Sequence, residues 1–290
     1  MNRIFNTLAI LAAAAGFTAC EDVIDLEVPN GKVLPVVDAW LTDEAGPQSI
    51  RITETVPYTS QAPAPVVKDA VVTLTDLTDN KTYAFTIEND NKYTHDPGPG
   101  VSIGKLNHAY KLRIELKGQV YEAIDTIKRI PEIDSITYEF KTKENSGGEE
   151  DGYFAKFHAR DLGGGTDYYW IRSYRNERSN PITDGFAIDG SFSEYVSDSS
   201  IFIIPIAEGI TRWDKPFKQH ETVIVRLASL TKETHAFLVH VNNQRNNGGL
   251  FARILENVRS NLKNTNTANS ERVLGWFGAS SVRFKEKKIE

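Results

Sequence analysis

The chain contains a single cysteine, Cys20, and its surroundings predict chemistry at its thiol. Cys20 follows Phe17-Thr18-Ala19, and a small residue directly before cysteine is what a lipoprotein signal peptidase requires beside a diacylated thiol. Residues 1–19 carry one positive charge, Arg3, and then an apolar run, 4–17, that is too short to span a membrane. The sequence therefore predicts a signal peptide at 1–19 and lipidation of Cys20. An ordinary secretory signal with a chance cysteine is the alternative.

Lipidation would fix where the protein acts, because two or three acyl chains anchor a polypeptide stably to a bilayer. Residues 20–32 would then form a tether whose charges before Lys32 are all negative: Glu21, Asp22, Asp25 and Glu27. This stretch resembles the acidic signal that sends Bacteroidota lipoproteins to the outer face of the outer membrane. We therefore expect a lipid-anchored outer-membrane protein that faces the cell surface, with a periplasm-facing anchor as the alternative.

A second candidate for chemistry is Ser102, because Gly100-Val101-Ser102-Ile103-Gly104 matches the G-x-S-x-G pattern of a hydrolase nucleophile. That nucleophile needs a strand before the serine and a helix after it. Here Pro97-Gly98-Pro99 precedes the motif, and sequence typical of a strand follows it. We therefore predict a loop serine in a protein that is not an enzyme. Hydrolase activity is the weakest alternative.

The histidines and acidic residues lack the spacing of metal ligands. His235 and His240 are five residues apart, which puts them on opposite faces of a strand and well separated around a helix. Acidic pairs such as Asp76 with Asp79 do not follow the ligand spacing of a calcium loop, and solvated turns explain them. The sequence therefore predicts no catalytic residue, no metal and no cofactor.

Aromatic side chains are better candidates for binding. In Tyr168-Tyr169-Trp170, a strand would turn alternate residues to opposite faces, so Tyr169 is expected outside when its neighbours enter the core. Trp213 and Phe217 flank Pro216 in a polar segment and are the best candidates for an exposed contact. Core packing is the alternative for each of these rings.

Composition excludes several classes of protein. The net charge is −6, and removal of residues 1–19 would delete one positive charge and leave it more negative, so the chain repels nucleic acid and anionic lipid. With 40% apolar residues the chain can bury a core, which excludes global disorder. Its 290 residues suit two domains of ordinary size.

Apolar residues alternate with polar ones from residue 33 onward, and this period of two predicts a mainly β protein. Pro131 interrupts the pattern, so we place a domain boundary there. Residues 33–131 are expected to form an immunoglobulin-like or prealbumin-like β-sandwich, and residues 132–290 a β-rich, sandwich-like domain with one or two short helices. The strands expected in the first domain are 33–41, 49–55, 70–76, 82–87, 110–116 and 119–126.

In the second domain, Gly163-Gly164-Gly165 between 152–162 and 167–174 predicts a hairpin. A helix is expected at 231–246, because Phe237 and Val241 lie four residues apart and Gly248-Gly249 follows. A second, weaker helix is expected at 250–262. The further strands expected are 136–143, 200–207, 221–230, 272–277 and 281–285.

Several segments together resemble one known family, a set of Bacteroidota lipoproteins called domain of unknown function 4249. The resemblance covers nearly the whole mature chain and rests on strand and turn sequences. Members of this family are typically encoded beside TonB-dependent outer-membrane transporters, so the resemblance implies such a transporter as partner. It implies no catalytic residue. The segments that carry it include Cys20-Glu21-Asp22-Val23-Ile24-Asp25-Leu26, Val36-Val37-Asp38-Ala39-Trp40-Leu41, Tyr168-Tyr169-Trp170 and Leu274-Gly275-Trp276-Phe277-Gly278-Ala279-Ser280.

These observations lead to two functional hypotheses beside the hydrolase. The first is a non-enzymatic accessory lipoprotein that captures a small nutrient for a TonB-dependent transporter. The second is a surface adhesion or envelope-organising module that uses its amino-terminal sandwich for protein contacts.

Overall fold

The structure, a computed structural model, describes residues 31–57, 60–88, 90–194, 199–248, 257–266 and 271–290. Val33–Val56 and Ala62–Glu290 form one compact unit. The second unit, Met1–Lys32 with Pro57–Gln61, contributes five described residues, and none of these lies in a helix or strand. Cys20 and the predicted signal peptide lie outside the described residues.

The described residues confirm a mainly β protein. The amino-terminal strands are β1 (Pro35–Thr42), β2 (Gln48–Glu54), β3 (Val71–Asp76), β4 (Lys81–Ile87), β5 (Tyr93–His95), β6 (Ala109–Leu116), β7 (Gln119–Thr126) and β8 (Ile133–Lys141). The later elements are α1 (Lys143–Ser146), β9 (Gly152–Ala159), β10 (Tyr168–Arg175), β11 (Pro181–Ile188), α2 (Ile204–Glu208), β12 (Thr222–Leu230), α3 (Lys232–Arg245), β13 (Lys263–Asn264), β14 (Leu274–Ser280) and β15 (Val282–Lys288).

Nine strands form one sheet in the order β13-β7-β6-β3-β4-β5-β2-β1-β14. Neighbouring strands are antiparallel except β1 and β14, which run parallel from Val36 opposite Leu274 to Thr42 opposite Ser280. The sheet curls over its own core, since β4 pairs with β3 along most of its length and with β5 only at its end. Alternate residues such as Leu112, Ile52 and Phe277 are buried inside this curled β-sandwich-like sheet.

The other strands form a four-stranded sheet, β11-β10-β12-β15, and a β8-β9 hairpin. One face of the four-stranded sheet packs against that hairpin and α2, with Tyr169, Ile171 and Val225 in the core. The opposite face packs against α3 and Trp40, with Tyr168 and Trp170 in the core. Because both faces are covered, β10 has no solvent face at Tyr168-Tyr169-Trp170, and polar alternation is lost there.

Most of the predicted elements match the structure. The six amino-terminal strands correspond to β1 to β4, β6 and β7, and the helix predicted at 231–246 is α3. The strands β5, β11 and β13 were not predicted from the sequence. The weaker helix predicted at 250–262 lies partly outside the described residues, and its described end contains no helix.

Two local predictions are wrong. The strand expected at 200–207 does not form, because α2 begins at Ile204, and its second residue, Pro205, fits the first turn of a helix. The hairpin expected around Gly163-Gly164-Gly165 does not form, because β9 pairs with β8 whereas β10 pairs with β11 and β12. The glycine turn instead carries the chain from one sheet to another.

The boundary near Pro131 stays a prediction about independent folding. β13 and β14 follow Pro131 in the chain, yet they pair with β7 and β1. The nine-stranded sheet therefore contains strands from both sides of the predicted boundary.

Candidate functional site

A groove of about 970 Å³ lies where β7, the start of α3 and the Gly163-Gly164-Gly165 turn meet. This volume is in the range of small-molecule binding sites. The lining is mixed, with apolar, hydroxyl and charged side chains. It comprises Asn107, residues 122–126, Lys128, Arg129, residues 164–168, residues 230–234, Asn261, Lys263, Thr265 and Trp276.

Asp125 forms the floor of the groove and joins three elements. It lies on the core face of β7 and is only 6% exposed. Its Oδ1 accepts hydrogen bonds from the hydroxyl of Thr231 (2.8 Å) and the amide of Thr126 (2.9 Å). Its Oδ2 accepts from the hydroxyl of Thr234 (2.8 Å) and the amide of Ala279 (3.0 Å). The carboxyl group thus holds α3 and β14 against the end of β7.

Burial raises the pKa of Asp125 above its ordinary value. The hydrogen bonds from Thr234, Thr231, Ala279 and Thr126 oppose this effect, because they favour the charged form. Loss of hydration is the larger effect, so the proton is held more tightly than in an exposed aspartate.

The start of α3 is built to meet Asp125. Thr231 is the N-cap residue, with extended backbone angles, and its side chain accepts from the amide of Thr234. The indole nitrogen of Trp276 donates to the hydroxyl of Thr234 at 3.0 Å. Phe237, one turn further along α3, stacks on Trp276 with the ring centroids 4.3 Å apart. Trp276 lines the groove, and its ring is fixed there by Thr234 and by the stacked ring of Phe237.

Arg129 holds the opposite end of the groove. Its guanidinium donates to the carbonyls of Leu162, Gly163 and Gly165 and contacts Asp167 at 2.6 Å. These contacts hold the backbone of the glycine turn, where Gly165 has a φ of +148°. Arg129 thereby fixes the turn as a boundary of the groove.

Behind this turn lies a buried carboxylate cluster of Asp161, Asp167 and Asp189, with oxygens within 4.8 Å of one another. Three such oxygens could ligate a cation. The cluster also has protein donors, since Tyr169 donates to Asp161 (2.5 Å) and the amide of Asp167 donates to Asp189 (2.6 Å). Burial raises the pKa of Tyr169, which keeps its hydroxyl protonated as the donor.

The structure separates the three predicted binding residues. Trp213 is 60% exposed, as expected, and its role in binding stays a prediction. The exposure expected for Tyr169 and Phe217 is wrong, because each is 0% exposed. Tyr169 lies in the core between the four-stranded sheet and the β8-β9 hairpin, and Phe217 packs in the same core beneath the guanidinium of Arg175.

Ser102 lies in the loop between β5 and β6, as predicted. Its hydroxyl donates to the carbonyl of Gly104 and accepts from the amide of the same residue, both at 3.1 Å. These contacts close a local turn. A Cβ at Gly104 would approach the carbonyl oxygen of Thr42 to 2.2 Å, so the second glycine of the motif serves close packing.

The acidic pair Asp76 and Asp79 is only partly the solvated turn that we predicted. Asp76 is buried, accepts from the amides of Thr78 and Asp79, and contacts Nδ1 of His108 at 2.8 Å. These contacts lower its pKa, against the effect of burial. Asp79 instead pairs with Lys105 at the surface.

Sequence reasoning missed the groove because its residues come from separate segments. A signal for Asp125 is present: in β7, alternate residues Gln119, Tyr121, Ala123 and Asp125 face the core, and an aspartate in that series needs a partner. The partners on α3 and β14 are more than 100 residues away in the chain.

No helix among the described residues is long and apolar enough to cross a bilayer. The family model described as Domain of unknown function (DUF4249) matches residues 21–286. No curated protein matches the chain.

Proposed function

We propose a function for this chain on the premise that it belongs to the family described as Domain of unknown function (DUF4249). It is a lipid-anchored, non-enzymatic accessory protein of the outer membrane that faces the cell surface. There it captures a small nutrient and passes it to a TonB-dependent transporter.

The groove above Asp125 carries this proposal. Its floor is fixed by hydrogen bonds between three elements, so the concave surface is formed before any ligand arrives. Its rim carries Lys128 and Lys263, which are exposed and can contact a ligand. The segment Phe17-Thr18-Ala19-Cys20 supports the anchor, and the acidic residues in 21–27 support surface export. The resemblance to lipoproteins encoded beside TonB-dependent transporters supports the transporter as partner.

The partner is tested by affinity purification of the tagged full-length protein from native membranes in mild detergent. Recovery of a TonB-dependent transporter is expected. A Cys20→Ser variant should be found outside the membrane fraction and should recover less transporter. Purification of the wild-type protein without any outer-membrane transporter would refute the partnership.

Gene deletion separates capture from adhesion. If the protein captures a nutrient, the deletion strain should grow more slowly when that nutrient is limiting and should recover when the gene is restored. A strain that attaches differently but grows normally on every nutrient would support the adhesion hypothesis instead.

A further inference from the structure

The edge of β7 that faces the groove has unused backbone hydrogen-bonding groups. β7 pairs with β6 along its whole length, from Leu116 opposite Gln119 to Ala109 opposite Thr126. On its other side, among the residues that the structure describes, it pairs only with the two-residue strand β13, at Tyr121 and Glu122. The rest of this edge, from Ala123 to Thr126, lines the groove.

The direction of the free groups follows from the ladder. The amide of Thr265 donates to the carbonyl of Val120, so even-numbered residues of β7 turn their backbone groups away from β6. Ile127, an odd-numbered residue, bonds on the β6 side, as this alternation requires. The N–H and C=O of Ile124 therefore point into the groove, where no strand in the described part of the chain pairs with them.

A side-chain contact explains why β13 stops. Asn261 donates to the carbonyl of Phe277 (2.7 Å) and accepts from the amide of Phe277 (3.0 Å), which ties this segment to β14. The chain next to Lys263 is thereby drawn away from β7. Ile124 is left 57% exposed, and this large apolar side chain lies on the groove lining beside its own free backbone groups.

Charges lie near both ends of this open edge. Lys263 is opposite Glu122 at one end, and Lys128 follows β7 at the other, about six residues or roughly 20 Å away. Glu122 is paired with Arg113 (3.0 Å), whereas no ion pair involves Lys128 or Lys263 among the described residues. Glu233, at the first turn of α3, is the acidic group on the opposite wall.

We infer that the groove binds a short, extended oligopeptide, which adds as a strand to β7 at Ile124 with carboxylates next to Lys128 and Lys263. A free peptide fits better than a segment of a larger protein, because β13 bounds the edge at one end and the glycine turn held by Arg129 bounds it at the other. Main-chain hydrogen bonds supply affinity for many sequences, and the lysines select for acidic residues. This inference names the ligand class for the groove and so rests on the proposed capture function.

The first experiment measures binding of the pentapeptide Asp-Val-Thr-Val-Asp to the full mature chain in detergent by calorimetry. Two N-methylated versions are compared, one blocked at the central threonine and one at both valines. Alternate peptide amides face β7, so one version should bind at least about tenfold more weakly and the other nearly normally. No binding, or equal binding of both methylated versions, would overturn the inference.

Variants of the protein test whether the peptide binds at Ile124. Ile124→Pro removes the N–H that faces the groove and should abolish binding, whereas Ile124→Thr keeps that N–H and should retain most of it. Lys128→Gln and Lys263→Gln should each weaken binding about two- to fivefold, and the control Lys285→Gln should not. Peptide should also slow hydrogen exchange at the amide of Ile124. If Ile124→Thr binds as poorly as a correctly folded Ile124→Pro, strand addition is excluded.

These measurements need no transporter. A protein that binds the peptide but recovers no transporter would refute the proposed partnership alone. A protein that recovers the transporter but binds none of the peptides would refute the peptide inference alone.

Discussion

Replacement of Asp125 by asparagine tests how the groove is held together. Asparagine has nearly the same shape, but it replaces one carboxylate oxygen by an amide group that donates. The two threonine hydroxyls can rotate and accept from this group. The amides of Thr126 and Ala279 cannot, and they donate to different oxygens of Asp125. One of these two N–H groups must therefore lose its acceptor.

The loss of stability depends on which of the two amides loses its acceptor. Ala279 is fully buried, whereas Thr126 is partly exposed and can turn to water. Asparagine should therefore keep its oxygen toward Ala279. A buried donor without a partner costs about 1–3 kcal/mol, and water at Thr126 reduces that cost. We expect Asp125→Asn to destabilise by about 1–2 kcal/mol, and Asp125→Ala, which removes all four bonds, by about 2–4 kcal/mol.

The assay is urea unfolding followed by tryptophan fluorescence, with Asp134→Asn as the control. Asp134 is an exposed residue of β8, and its replacement should change stability by less than about 0.5 kcal/mol. If Asp125→Asn and Asp134→Asn unfold at the same urea concentration, the bridging role of Asp125 is refuted.

Comparison of the wild-type protein with Asp125→Asn also tests the raised pKa of Asp125. Since the pKa of Asp125 in the folded chain lies above its ordinary value, the folded state binds more protons than the unfolded state at a pH between these two values. The stability that the wild-type protein owes to this group thus falls as pH rises through that window. The gap between wild type and Asp125→Asn should therefore be wider in acid than at neutral pH.

Four further variants test other contacts. Arg129→Lys should cost about 2–3 kcal/mol in urea unfolding, because a single ammonium cannot replace the contacts to three carbonyls and Asp167. Gly275→Ala should lower the free energy of unfolding by about 3 kcal/mol or more, since Gly275 has a φ of +94° and a Cβ would lie 1.8 Å from the carbonyl oxygen of Val37. The control Gly185→Ala should have little effect, because its nearest neighbour would be 3.8 Å away. Burial lowers the pKa of His235 below its ordinary value of 6.5, so the free energy of unfolding should fall as the pH decreases from 6.5 toward the pKa of the folded state. In a His235→Gln variant the free energy of unfolding should depend less on pH. Trp213→Ala should leave the urea midpoint unchanged, and reduced transporter recovery in the pull-down would identify Trp213 as a contact residue.

The sequence was a good guide to local structure and a poor guide to partners. Alternation in 119–126 predicted β7, and the spacing of Phe237 and Val241 predicted α3, because each signal lies within a few residues. Pairing of β1 with β14 depends on residues more than 200 positions apart, and no local pattern reports it. The hairpin error at Gly163-Gly164-Gly165 has the same origin.

Burial of single side chains was hard to predict for a related reason. Alternation assigns residues to two faces of a strand, but it does not tell whether one face or both are covered. Tyr169 was expected outside because its neighbours enter a core, and in fact the four-stranded sheet packs on both faces. The groove itself depends on α3 and β14 meeting Asp125, so it becomes visible only in three dimensions.

The parallel pairing of β1 with β14 also bears on how the chain folds as it is made. β1 is among the first strands to be synthesised, and its neighbour on one side is among the last. Until residues 274–280 arrive, that side of β1 stays an open edge that can pair with other chains. Contacts between such distant residues slow folding and leave intermediates prone to aggregation. A chain that stops before residue 274 should therefore aggregate, and the growing chain should depend on chaperones until β14 has been made.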